Sequence, residues 1–290
     1  VRGRKILNAR ALAARTAKIA VPDSLKAAPR VSLAGVPLPY DLEPMHVLVG
    51  GGTGAGKSVA IRDMLHSIFQ RGDRRIVVDP NGGYLRHFYQ PGDVVLNPFD
   101  ARGEGWSIFN EIARDFDCDR FALSLIPRSP STEQEEWNAM ARGMVTETLR
   151  KLWRSGRGTT QQFYFWMASA SNSDLAKFLA DTTAAGLFHE AERTLGSVRA
   201  VLSHHIGPHK YLRPGTFSVG QWLNEGQGNL WITWREDMLQ ALRPLISTWV
   251  DVLAASILSM SEDYERRLWL ICDELDSLEK LSYVIDAATK

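Results

Sequence analysis

Cysteine is scarce. The chain of 290 residues holds two, Cys118 and Cys272, far apart and without a pairing pattern. That excludes a disulfide-stapled secreted scaffold and a thiolate zinc site, and it fits a reducing cytosol. Histidine offers no metal set either: His204 and His205 are adjacent but have no third ligand at metal spacing, and they read as part of a helix surface. No uninterrupted apolar run reaches the ~18 residues that a bilayer span requires. Internal repeats and low-complexity tracts are also absent, which argues against a repeat array or a biased, disordered chain. The chain lacks an initiating Met and stops inside a helical pattern, Ala287-Ala288-Thr289-Lys290, so we expect a fragment of a longer protein.

What is present describes an ordinary globular chain. Its hydrophobic fraction of 44% and charged fraction of 23% suffice for a packed core, in one large or two ordinary domains. The net charge of +1 conceals an asymmetry. Residues 1–30 carry eight Arg or Lys against one acid, Asp23, for a local charge of +7, which leaves −6 on the remainder. Such a basic leader suits an anionic membrane surface, a nucleic acid or a targeting role; it is equally a solvated helix with arginine on its wet side.

The strongest signal is Gly51-Gly52-Thr53-Gly54-Ala55-Gly56-Lys57-Ser58, which satisfies the G-x-x-x-x-G-K-[ST] pattern of a nucleoside-triphosphate P-loop. A triphosphate needs many short hydrogen bonds, and backbone N–H groups wrap a phosphate only where Cβ atoms are missing. Lys57 supplies a point charge to the outer phosphates and Ser58 a hydroxyl to Mg²⁺, while the helix that starts there turns its positive end to the anion. Met45-His46-Val47-Leu48-Val49 reads as a buried strand entering the loop, and Val59 to Gln70 as an amphipathic helix leaving it, with Ile61, Met64, Leu65, Ile68 and Phe69 on one face.

Strands then alternate with helices. Arg74 to Asp79 and Asp93 to Asn97 are short β-branched runs, and Asn229 to Trp234 and Arg267 to Cys272 follow much later, which predicts a mostly parallel, α/β sheet. Between them lies a helical stretch. Thr132 and Glu135 form a capping box before a long amphipathic helix that Gly156 stops, and further helices fit Gln161–Ala170, Asp174–Ala180 and Glu190–His205. The expected division is therefore residues 1–110 and 211–290 as one α/β domain and 111–210 as an inserted all-helical domain.

Leu268 to Cys272 followed by Asp273-Glu274 matches a Walker B strand. Such a strand delivers Asp273 to Mg²⁺ and Glu274 to the attacking water as general base. Asp79, at the end of another strand, is either a supporting carboxylate of the same nucleotide site or the opening of a type I turn. Arg235 is a phosphate contact or a surface ion pair. Arg150, Lys151, Arg154 and Arg157 compensate a helix dipole or touch nucleic acid. The tryptophans, on apolar faces, read as core.

Together these segments resemble the TraD/TrwB-type coupling proteins of bacterial conjugative type IV secretion, from about residue 40 to the end. The resemblance rests on the P-loop, on Gly72-Asp73-Arg74-Arg75-Ile76-Val77-Val78-Asp79-Pro80-Asn81-Gly82, on Leu96 to Arg102 with Trp106 to Glu111, on Ile232 to Asp237, on Leu242 to Ser247, and on Arg266 to Leu275 with Leu278 to Leu281. It implies a RecA-like P-loop NTPase domain carrying an inserted all-α domain, with ATP and Mg²⁺ as cofactors. It also implies a homo-hexameric DNA-translocating ATPase beneath an inner-membrane anchor, on the cytoplasmic face. Such a ring recruits a relaxase–DNA complex with its accessory proteins and passes single-stranded DNA to the secretion channel. Two features of that family are expected outside this sequence: the membrane-spanning segment, upstream of Val1, and the final sheet strands with any arginine finger, beyond Lys290. The competing expectation is a nucleotide-gated docking platform for relaxosome and secretion proteins with little motor activity. An unrelated P-loop enzyme such as a kinase lacks a visible acceptor site.

Overall fold

The computed structural model describes residues 8–189, 192–263, 265–274 and 277–278. Near the N-terminus, α1 (Ala9–Thr16) is capped by Asn8, whose side chain accepts from the Ala11 amide at 2.8 Å. A small hairpin follows, β1 (Ser32–Leu33) with β2 (Val36–Pro37). Its two turn residues, Ala34 and Gly35, both have positive φ, as a two-residue hairpin turn of the right twist requires. The hairpin rests on α2 (Lys57–Arg71) through Ser32 N–H to Ser67 Oγ and Gly35 N–H to Asp63 Oδ2. Gly72, left-handed, ends α2 by bonding back to the Ile68 and Phe69 carbonyls.

Three short elements come next: β3 (Arg74–Pro80), α3 (Leu85–Phe88) and β4 (Val94–Leu96). From there the regular elements are helices: α4 (Asp117–Leu125), α5 (Thr132–Arg154), α6 (Thr160–Tyr164), which runs on into a wider π turn at Phe165–Ser169, α7 (Asn172–Phe178), α8 (Glu192–Ile206) and α9 (Val219–Glu225). The chain then returns to the sheet with β5 (Leu230–Trp234), α10 (Leu239–Leu258) and β6 (Leu268–Cys272). The long helix α5 begins one residue earlier than the Thr132 capping box implies. Ser131 is the cap, and Glu135 reaches past it to the Ser129 amide at 2.8 Å.

The sheet has the order β4-β5-β3-β6 and every neighbouring pair is parallel. Side chains alternate between its faces. Val77, Val95, Trp231, Trp269 and Ile271 pack with Leu65 and Ile68 of α2 and Leu85 and Phe88 of α3. Ile76, Val78, Leu96, Leu230, Ile232 and Trp234 face the other way, onto α10 and the main helical core. Helix α10 is long and apolar enough to cross a membrane by composition, yet 78% of that window is buried inside the protein, as in a core helix. Trp106, Trp231, Trp234 and Trp249 are fully buried, in keeping with core tryptophans.

One expected strand is missing. Residues 45–49 run without β pairing, and Leu48 is 95% exposed and Met45 63% exposed. Hydrophobicity alone does not make a strand; its N–H and C=O groups must find a ladder, and the described residues give this segment none.

The edge of the sheet where the strands begin is closed by buried charge. Arg71, the last residue of α2, donates to both carboxylate oxygens of Glu43 at 2.6 and 2.9 Å and to Asp73 Oδ2. Arg267, just before β6, also reaches Glu43 Oε2 at 3.1 Å, and Trp269 Nε1 donates to Asp73 Oδ2 at 2.8 Å. The Glu43 and Arg71 side chains are 2% and 4% exposed. Burial opposes the Arg71 charge, but its bonds to Glu43 and Asp73 outweigh this and leave the guanidinium more basic than usual. Removing one partner strands the other charge in the interior. Glu43→Ala therefore costs about 3–5 kcal/mol of stability, read as a lower urea midpoint, with Glu43→Gln in between. Equal midpoints for all three proteins contradict this role.

Candidate active site

Parallel strands put all their C-terminal ends on one rim, where α/β proteins bind ligands. On this rim β3 carries Asp79 as its last residue but one, β6 leads into Asp273 and Glu274, and β5 leads into Arg235. The Asp273 amide donates to the Val78 carbonyl at 3.2 Å, which carries the β3–β6 ladder one step past the strand end.

The glycine loop enters α2 beside these acids. Gly50 through Gly56 are exposed, and Gly54 and Gly56 have φ of 77° and 88°. A side chain would strain both positions. Gly56 caps α2 without a side-chain hydrogen bond, so the first helix amides stay open to an anion. Lys57 folds its ammonium over its own loop, donating to the carbonyl oxygens of Gly51 at 2.9 Å and Gly52 at 3.2 Å. A lysine ammonium beside open helix amides is a donor set for phosphate.

The loop and the acidic strand meet at a residue that the motifs do not name. Tyr84 is 3% exposed, and its hydroxyl donates to Asp273 Oδ2 at 2.7 Å. The same oxygen lies 3.5 Å from the Ser58 carbonyl, too far to compete for its single proton. Burial, then the Asp273 hydrogen bond and charge, push the phenol above its ordinary value, so Tyr84 remains a donor across the physiological range. The sequence signal for it was an aromatic residue closing the Asn81-Gly82-Gly83 turn directly after a strand-end acid.

Asp79 holds Tyr84 in place. Its Oδ2 accepts the Tyr84 amide at 3.0 Å and the Leu85 amide at 2.7 Å, while Oδ1 is buried without a donor from the protein. Burial raises the Asp79 carboxyl above its ordinary value; the Leu85, Tyr84 and Gly83 amides oppose this, and the charge of Asp273 adds to it. Two carboxylates repelling each other beside an orphaned oxygen suit a divalent cation. Among the described residues no group of three His, Cys, Asp or Glu could hold a metal unaided, so such an ion would be shared with a bound ligand's phosphates. Glu274, exposed, sits at φ 55°, a left-handed geometry that costs a non-glycine residue about 1–2 kcal/mol.

The remaining candidates lie away from the loop. Arg235 pairs with Asp237, Nε to Oδ1 at 3.0 Å. Arg150 pairs with Asp115, Asp119 and Glu147, Lys151 with Asp181, and Arg154 with Asp115, while Arg157 is exposed and, among the described residues, forms no ion pair. His205 is 8% exposed and packs edge-on against His204, so the pair is only half a surface feature.

A parallel α/β sheet with this glycine loop and these acids on one rim defines a RecA-like P-loop NTPase. Comparison with known proteins narrows it. Residues 30–290 match the family model for the type IV secretion-system coupling protein DNA-binding domain. The chain is 30% identical over 268 residues to the coupling protein TraD of Escherichia coli K12, covering 88% of this chain but 37% of that protein. Among solved structures, the unbound conjugative coupling protein TrwBdeltaN70 superposes with a TM-score of 0.92 at 45% identity, over 100% of this chain and 68% of that one. TrwB in complex with ADP and Mg²⁺ gives 0.91 at 45% identity, over 99% and 68%. The chain belongs to the type IV secretion-system coupling proteins. It spans little more than a third of the length of the TraD that it matches.

Two variants probe the junction. Tyr84→Phe leaves Asp273 without its donor and lowers stability by about 1–3 kcal/mol in chemical denaturation at neutral pH; an unchanged midpoint removes the hydroxyl from the account. Asp79→Asn acts through pH. Because the folded carboxyl titrates above the unfolded one, wild-type stability falls relative to the Asn variant as pH rises from about 3.9 through the raised folded value, then stays level. Melting temperatures of the ligand-free proteins from pH 4 to 8 check this, and a widening advantage for Asn toward low pH contradicts it.

Proposed function

We propose that this chain is the nucleotide-hydrolysing part of a conjugative coupling protein that drives single-stranded DNA into a type IV secretion channel. The observation that carries the reading is the meeting of Ser58 and Asp273 around the Tyr84 hydroxyl, which sets a phosphate loop against a strand-end acid. The amides of Gly51, Gly52, Thr53, Gly54, Ala55 and Gly56, with Lys57, hold the phosphates of ATP. Ser58 and Asp273 hold Mg²⁺, and Asp79 supports that pair through Tyr84. Mg²⁺, when bound, neutralises phosphate charge. Glu274 orients the attacking water and takes its proton. Solved complexes of TrwB with ADP and Mg²⁺ and with the GTP analogue GDPNP support the same ligand class here.

In this reading residues 1–110 and 211–290 form the nucleotide-binding domain and 111–210 an inserted helical domain. The parent protein works as a homo-hexamer at the cytoplasmic face of the bacterial inner membrane, with a membrane anchor on its N-terminal side. Its partners are the relaxase–DNA complex, accessory proteins and the secretion channel. A second reading, a nucleotide-gated docking platform, draws on a cleft of about 410 Å³ between α4 and α5 that presents Asp119, Arg128, Glu135, Arg142 and Glu147. Of these, Glu135 pairs with Arg142, and Asp119 and Glu147 pair with Arg150, which leaves Arg128 outside any ion pair among the described residues.

The two readings part at Glu274. Glu274→Gln keeps Mg²⁺-nucleotide binding and lowers turnover about 10²–10⁴-fold, and the motor reading expects DNA transfer to fall with it. Transfer that persists without turnover favours the platform. Lys57→Ala abolishes binding in both, so nucleotide affinity that survives it contradicts the site itself.

A further inference from the structure

On the same rim, at the far edge of the sheet, partly exposed rings and cations collect around the loop after β4. Phe99 is 48% exposed and packs against Tyr211 with the rings tilted by 54° and their centroids 5.1 Å apart. Lys210 lies 4.9 Å above the Tyr211 ring, and Arg102 lies 4.8 Å above Tyr89. Arg213 donates to the carbonyl oxygens of Pro98 and Asp100, which ties the 209–217 segment to this loop. The acids nearby are Asp100, paired with Arg102 at 2.7 Å, and the exposed Glu104. Among the described residues Lys210 and Arg213 form no ion pair, unlike Arg150, Lys151 and Arg154, although, after the Arg102 hydrogen bond, the charge of Arg213 helps to hold the Asp100 carboxyl below its ordinary value.

This leaves an aromatic ring half in water beside two cations that lie outside any ion pair. It is the pattern that binds single-stranded nucleic acid, where bases stack on rings and cations follow the phosphates. We propose that Phe99 and Tyr211, flanked by Lys210 and Arg213, form a stacking platform for single-stranded DNA. The proposal rests on the functional reading above and supplies the DNA-contacting groups that it lacks. The platform is also tied to the nucleotide side of the rim. Asn97 accepts the Phe99 amide at 3.0 Å and donates to Thr233 Oγ1 at 3.2 Å. Beyond β5, Asn81 donates its amide to the Trp234 carbonyl at 2.7 Å and accepts from the Glu236 amide at 2.9 Å. Asn81 follows Asp79 by two residues, and β4 lies two strand spacings from β3, roughly 10 Å.

The test is anisotropy of a fluorescent 30-nucleotide oligo-dT with the whole chain, over a series of salt concentrations. Phe99→Ala weakens binding about 10-fold or more, whereas Phe99→Trp, which restores a ring, stays within about threefold of wild type. Lys210→Gln with Arg213→Gln reduces the salt slope by about 1.4, two phosphate contacts at about 0.7 each. Circular dichroism and ADP affinity, which these residues do not serve, confirm that the variants are folded. If wild type binds the oligonucleotide and all variants bind equally, the platform is wrong and the functional reading stands. Binding to duplex alone, unaffected by Phe99, overturns the stacking. If wild type binds no nucleic acid, both the platform and the DNA-driving reading fall.

Discussion

A single phenolic proton joins the two halves of the site. Tyr84 gives it to Asp273 while its oxygen sits against the first turn of α2, so the acid at the end of β6 and the loop residue Ser58 are referenced to one buried ring. Asp79 fixes that ring from behind by accepting the amides of Tyr84 and Leu85, where the short helix α3 begins. The arrangement sets like charges close together and leaves one carboxylate oxygen with no protein donor. A fold selected for stability alone would not retain that combination. It makes sense if a cation and phosphates complete it.

At the opposite edge of the sheet the same helix is anchored by the Glu43–Arg71–Asp73 cluster. Helix α2, 15 residues or roughly 22 Å, thus runs from a dry ion cluster to a wet glycine loop. The anchored end binds the segment before the loop, the start of β3 and the start of β6 to one another. The free end keeps its amides and its lysine unburied. Rigidity at the base and openness at the tip are what a site needs when its ligand, not the protein, supplies the last contacts.

Much of this was legible in the sequence. The glycine loop, β3, β5, β6 and the long helix α5 follow from periodicity and from Gly and Pro punctuation, and the acid pair after β6 lies on the rim where the strands end because parallel strands leave no other choice. Three things were not legible. Residues 45–49 are apolar enough for a strand, but pairing is a property of neighbours and not of the segment. The cap of α5 fell one residue early because two adjacent hydroxyl residues, Ser131 and Thr132, serve a helix start equally well. Tyr84 and the Glu43 cluster were invisible because their meaning lies in contacts between residues distant along the chain: Tyr84 with Asp273, and Glu43 with Arg267.

The most direct measurement is a crystal structure of this chain with Mg²⁺ and a non-hydrolysable ATP analogue. The account predicts that Lys57 Nζ leaves the Gly51 and Gly52 carbonyls for a phosphate oxygen, and that the Ser58 hydroxyl and the Asp273 carboxylate both face the same Mg²⁺. Lys57 still seated on its loop carbonyls, or a metal bound with Asp273 turned away, would contradict it.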